Sequence, residues 1–188
     1  MLWEGVATRE VLGHVKVLPQ ARHVLVHCEY GFTTNLPLDD FLALPRVRVQ
    51  ADMHCVTRWS NLDNVWEGVS TREVLSHVKV LPAATFVMVQ CEHGFTTNLP
   101  LEDFAQEDCL FAWKHNGQDL EPDHGYPLRL VVPRLYAWKS AKWVRGIEVL
   151  DRDRAGFWEA WEHGGYHMRG DPWVQNATHR DGQRFRER

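Results

Sequence analysis

The sequence predicts an α+β fold, mixed and mainly β, with short helices. Apolar runs of strand length recur between turn residues, as in Thr85-Phe86-Val87-Met88-Val89-Gln90 and Leu128-Arg129-Leu130-Val131-Val132. Helical signals are few and brief, the clearest being a capping box followed by a short amphipathic stretch. The chain has 188 residues and is 44% hydrophobic, which suits one domain with a real core and no need of disulfides.

The elements follow in order. Ser70-Thr71-Arg72-Glu73 is a capping box, so a helix is expected over 71–78, ended before Pro82. A buried strand is expected over 85–90, a loop over 94–98 and a helical turn over 101–104. Residues 110–114 read as a strand leading into Asn116-Gly117, a strong hairpin signal. Residues 128–132 read as a strand closed by Pro133, and 143–149 as another. From Gly156 onward the chain is rich in Gly, Trp and His and reads as irregular.

A repeat interrupts this order. Leu2 to Phe41 matches Val65 to Phe104 at an offset of 63, pairing Trp3 with Trp66; ten of the forty positions differ, so thirty are identical. Two units do not make a stacked array. A recent tandem duplication, a recombination across the similar Leu-Pro-Leu-Asp/Glu-Asp-Phe stretches, or the assembly of the gene would each produce this. One core is expected to offer one slot, filled by the second copy. The first copy would then pack as an add-on, swap into another chain as a domain-swapped homo-oligomer, or stay loose. Ala7 stands where the second copy has Ser70, so the first copy lacks the cap. The expected division is a duplicated segment over 1–41, a main domain over 42–175 and a charged tail over 176–188.

Formal charge of −4 and a pI near 6.2 argue against a nucleic-acid binder held by a global positive field. No apolar run is long enough for a membrane span, and no leader pattern opens the chain, so the expected compartment is the cytoplasm. Cys28, Cys55, Cys91 and Cys109 form no C-x-x-C pair, which speaks against a closed zinc site. A zinc set of His54, Cys55, Cys91 and His93 matches no common spacing.

Three segments carry chemistry. Asp52-Met53-His54-Cys55-Val56-Thr57-Arg58-Trp59-Ser60 holds a lone cysteine between a histidine and an arginine. A thiolate is a soft ligand for thiophilic metals, and Arg58 would favour it; the other possibility is a buried structural cysteine. Asp123-His124-Gly125-Tyr126-Pro127-Leu128-Arg129 presents an arginine whose planar fork suits phosphate, although an ordinary loop arginine would read the same. Trp138-Lys139-Ser140-Ala141-Lys142-Trp143 is a basic turn, with Lys139 expected in solvent. One sulfur ligand and two basic clusters suit a metal whose cofactor carries a phosphate. Nine tryptophans are enough to wall a large flat ligand.

In this order the three segments resemble the molybdopterin-binding domain of the sulfite oxidase family, over roughly Phe41 to Trp173 and especially its small stand-alone bacterial members. The chain departs from that pattern before Phe41. The resemblance implies a molybdenum oxidoreductase using Mo-molybdopterin, with the metal held by two pterin dithiolene sulfurs and by Cys55. It implies that His124 and Arg129 contact the pterin and its phosphate, and that Ser140, Ala141 and Lys142 bind the phosphate. Cys91 marks a position that contacts the pterin in relatives, with a core cysteine as the alternative. His54 and Arg58 are placed to hold the pterin or an anionic substrate, Arg58 being the expected anion contact. Thr96, Thr97 and Asn98 are expected at the same mouth. The implied substrates are sulfite-like anions or sulfoxides, and electrons would pass to a separate partner. The alternative is a non-catalytic remnant acting as an interaction protein.

Overall fold

The computed structural model describes residues 23–28, 33–55 and 59–160. Two five-stranded sheets face each other across the core. The first has the order β2-β1-β10-β5-β6, built from β1 (His23–Cys28), β2 (Thr33–Pro37), β5 (Phe86–Cys91), β6 (Thr96–Pro100) and β10 (Val144–Leu150). The second runs β3 (Arg46–His54), β4 (Ser60–Ser70), β7 (Leu110–His115) and β8 (Gln118–Asp119), with β9 (Arg129–Val131) also paired to β7. The helices are short: α1 (Leu38–Leu42), α2 (Thr71–Ser76) and α3 (Leu101–Phe104).

Strand alternation explains the core. Phe111 and Trp113 of β7 enter the main core, with Val87 and Val89 of β5, Leu130 of β9 and Ile147 of β10. Leu110 and Ala112 enter a second cluster on the opposite face, with Trp66, Leu120 and Val131. β7 is therefore covered on both sides, which is why its sequence reads as a continuous apolar run. Its neighbour β4 approaches very closely, because a Cβ added to Gly68 would lie 1.9 Å from the Phe111 carbonyl oxygen. Only glycine fits there, and the β4–β7 register shifts at that point.

Several expectations agree with the structure. The Ser70 hydroxyl accepts from the Glu73 backbone N–H at 3.1 Å, closing the cap of α2. Asn116 and Gly117 both take positive φ, 51° and 80°, as a two-residue hairpin turn requires. The strands over 86–91, 110–115, 129–131 and 144–150 lie close to the expected bounds. Residues 94–98 differ. They were expected as a loop, but from Thr96 they form β6, because Thr96 to Pro100 complete a ladder with Gln90 to Phe86. β3 and β4 were not expected. The alternation Arg46-Val47-Arg48-Val49 is a period-two signal, whereas β4 holds Asn61, Asp63, Asn64 and Gly68, which mask it.

The repeat folds twice. β1, β2 and α1 occupy the positions that β5, β6 and α3 occupy 63 residues later, and the two hairpins share one register: His23↔Pro37 matches Phe86↔Pro100. The one-slot expectation fails because β10 has two edges. It pairs antiparallel with β5 on one side and parallel with β1 on the other. Phe41 and Phe104, equivalent residues of the two copies, are both fully buried and both pack edge-on against Phe111, at 6.0 and 5.9 Å. The rest of the first copy, residues 1–22, and the expected tail over 176–188 lie outside the described residues.

Candidate active site

A cavity of about 650 Å³ opens beside the end of β3, the His115 end of β7 and the turns that precede β9 and β10. Cys55, His124, Arg129, Ser140, Ala141 and Lys142 all line it. Three segments far apart in sequence thus meet at one place. Cys55 follows the last residue of β3, where its backbone N–H donates to the Trp59 carbonyl at 2.9 Å. Its thiol is partly exposed. Met53 lines the cavity too, so alternation along the strand sends His54 the other way.

Arg129 is the electrostatic centre. Its side chain is only 6% exposed, and burial pushes its pKa down to about 10. One guanidinium nitrogen donates to the His124 carbonyl at 3.2 Å and another to the Ser140 carbonyl at 3.1 Å. The guanidinium sits over Trp66 at 5.0 Å. Among the described residues no carboxylate pairs with it, and its Nε is buried without a partner. A desolvated cation so placed is complementary to an anion. Lys142 adds a second positive charge: its ammonium donates to the Asp123 carbonyl at 2.7 Å. Burial and Arg129 both lower the Lys142 pKa, and Asp123 opposes them. Gly125, at φ 108°, lets these groups converge, since a Cβ there would crowd Arg129 Cβ at 3.0 Å and Lys142 Cβ at 3.1 Å.

The turn before β10 supplies backbone donors. The N–H groups of Ala141, Lys142 and Trp143 meet no acceptor among the described residues. Trp143 takes φ of 54°, the left-handed conformation that turns successive N–H groups into an anion-binding concavity. The expected donor set shifts here by one residue. The Ser140 N–H is taken by the Ala137 carbonyl at 3.0 Å and its hydroxyl accepts from Val132 N–H at 3.0 Å, so Ser140 builds the turn. Trp143, which no motif singled out as a ligand, takes its place. Aromatic walls complete the cavity with Trp59, Trp66, Phe95, Trp138 and Trp158. A flat ring system with an anionic arm fits this combination of aromatic faces, a buried unpaired guanidinium and unbonded N–H donors.

Other expected residues lie elsewhere. His54 is 1% exposed, hydrogen-bonded through Nδ1 to the Ser60 hydroxyl at 2.7 Å, and does not line the cavity. Cys91 is in the main core and off the cavity, its thiol pushed up to about 12 by burial, with Arg145 opposing. It fits the core-cysteine alternative. Arg58 lies outside the described residues. Lys139 was expected in solvent but is buried. Its ammonium donates to the Asn98 side chain at 2.9 Å and forms an ion pair with Glu159, which also accepts from Thr97 at 2.9 Å. Thr97 and Asn98 are therefore not at the mouth. They anchor residues 151–160, which Gly156 lets press onto β6 and which carry Trp158 to the cavity. His115 and Trp66 also line the cavity without having been singled out, because neither sits in a recognisable motif. No group of three or more metal-ligating side chains occurs among the described residues, so protein ligation of a metal would fall to a single residue.

Comparison with known proteins agrees with this geometry. The profile of the oxidoreductase molybdopterin-binding domain matches residues 32–158. The chain is 51% identical over 147 residues to the uncharacterized oxidoreductase YuiH of Bacillus subtilis (strain 168), covering 77% of this chain and 73% of that one. It is 30% identical over 158 residues to sulfite oxidase of Arabidopsis thaliana, covering 65% of this chain and 40% of that protein. The fold resembles the sulfane dehydrogenase SoxCD from Paracoccus pantotrophus with a TM-score of 0.64 at 21% identity, covering 73% of this chain and 40% of that one.

Proposed function

The chain belongs to the oxidoreductase molybdopterin-binding domain family and is a molybdenum cofactor-dependent oxidoreductase; we propose that the cavity beside Cys55 holds Mo-molybdopterin and performs oxo transfer there. The observation that carries this is the meeting of Cys55, Arg129, Lys142 and the 141–143 turn on one aromatic-walled cavity. When bound, the cofactor supplies a metal that changes oxidation state while an oxo group moves to or from substrate.

The chain's own residues do the rest. Cys55 offers a soft thiolate to the metal and is the one protein ligand this site requires. Arg129 receives the phosphate through its planar fork, Lys142 adds a point charge, and the N–H groups of Ala141, Lys142 and Trp143 complete the cradle. His124 stands at the rim, its side chain 60% exposed, within reach of the pterin. The tryptophan faces exclude water from the metal side. A small sulfur-containing molecule, sulfite-like or a sulfoxide, is the substrate class, and Arg58 is the anion contact. Electrons leave to a separate partner. No described helix is long and apolar enough to cross a membrane.

Protein produced in a molybdenum-replete host should carry close to one molybdenum per chain, and Cys55→Ser should lose most of that metal while its circular dichroism is unchanged. Wild-type protein holding less than about a tenth of an equivalent, or a Cys55→Ser variant with undiminished metal, would overturn the proposal and favour a non-catalytic remnant.

A further inference from the structure

His115 ends β7 and lines the cavity, yet none of the three motifs includes it. Its ring is fixed twice. The imidazole stacks on Trp66 with centroids 4.3 Å apart and planes 24° apart. Its Nε2 lies 2.7 Å from Asn64 Oδ1. Asn64 is fully buried, and its amide nitrogen donates to the Asn61 carbonyl at 2.7 Å. A carbonyl only accepts, so the Asn64 amide cannot be turned round, and its oxygen must face the histidine. Nε2 therefore carries the proton, and Nδ1 carries the ring's lone pair. No group among the described residues bonds Nδ1.

The surroundings keep the ring neutral. Burial lowers its pKa, and Arg129 and then His124 lower it further. These are the charged groups that face it. β4 presents Trp66 and Asn64, and β8 pairs Gln118 with it. A neutral acceptor is thus held in a fixed tautomer within a cavity otherwise supplied with donors, namely the Arg129 guanidinium, the Lys142 ammonium and the 141–143 N–H groups. The donors serve the anionic arm of a ligand. An isolated acceptor serves a different part of it, one bearing N–H groups.

We infer that His115 is an additional ligand-binding residue, whose Nδ1 accepts a hydrogen bond from an N–H group of the pterin ring. This rests on the cavity being the pterin site. Asn64 and Trp66 are its positioning residues. A bound N–H donor requires the lone pair, so the contact is complete above the imidazole pKa and is lost as pH falls through it. That midpoint lies below the ordinary histidine value of 6.5.

The test compares holo-protein of wild type, His115→Gln and His115→Phe. Each is dialysed across pH 5 to 8, about the range in which a histidine titrates. Molybdenum is read by mass spectrometry and pterin by the fluorescence of its oxidised product. Thermal melts of the cofactor-free proteins report folding. Wild type should retain cofactor at neutral pH and release it toward the acid end. His115→Gln keeps an acceptor that cannot protonate, so its retention should vary less with pH. His115→Phe keeps the stack but has no lone pair, so it should lose roughly tenfold in retention at neutral pH. If His115→Phe folds and matches wild type in both retention and pH profile, the role of His115 is refuted and the site assignment stands. If wild type carries no pterin at any pH, the site assignment fails and this inference falls with it.

Discussion

Replacing Arg129 with methionine separates a residue that builds the fold from one that waits for a ligand. Burial lowers its pKa from 12.5 to about 10, so holding the charge inside costs roughly 3 kcal/mol of folding stability. The sign follows from linkage: the unfolded chain binds this proton more tightly. The cost is therefore fully present below the folded pKa and fades only as pH rises toward 12.5. Methionine removes that cost. It also forfeits two charge-assisted bonds to the His124 and Ser140 carbonyls, about 1.5 kcal/mol each, and a cation–π contact of about 1 kcal/mol with Trp66. The terms nearly cancel, so the cofactor-free variant should denature in urea within about 1.5 kcal/mol of wild type. Cofactor retention should behave differently. Losing a bidentate guanidinium–phosphate pair, worth about 3 kcal/mol, should lower affinity on the order of a hundredfold. Pterin and molybdenum content after gel filtration reads that directly. A variant destabilised by more than about 3 kcal/mol that still held wild-type cofactor would show Arg129 to be structural and refute the reasoning.

Two further predictions concern the frame around the site. Phe41→Ala and Phe104→Ala should each cost about 3–5 kcal/mol in urea denaturation, since both rings are fully buried against Phe111. A cost below about 1 kcal/mol for Phe41→Ala would contradict the packing of the first hairpin's turn into the core. Lys139→Met should destabilise by about 3–5 kcal/mol because it strands buried Glu159, and adding Glu159→Leu should recover most of that. Equal stability of the single and double variants would refute a buried pair.

Legibility in the sequence followed locality. The cap at Ser70, the Asn116-Gly117 turn and the runs 86–91 and 144–150 are set by neighbouring residues, and each was readable. Cys55, His124, Arg129 and Lys142 were readable as candidates because each stands in a short pattern with its own chemistry, and they share one cavity. His54 stood beside Cys55 in the same pattern, but strand alternation carries it to the opposite side. Lys139 looked like a solvent-facing base, and only tertiary structure reveals Glu159, twenty residues on, as its buried partner. His115 and the positive φ of Trp143 gave no sequence signal. The value of the first depends on β4 lying alongside, and that of the second on the path of the chain into β10.

The hairpin beside the far edge of β10 bears on how such a gene can grow. It carries its internal ladder with it, so joining the sheet required just one new seam, whose pairs run from Leu25↔Gly146 to Cys28↔Val149. That seam has the opposite strand polarity to the one β5 makes, which shows β10 to be indifferent to the direction of its neighbour. An open sheet edge of this kind is a point of modular growth, where a copied fragment can be kept without redesigning the interior it joins.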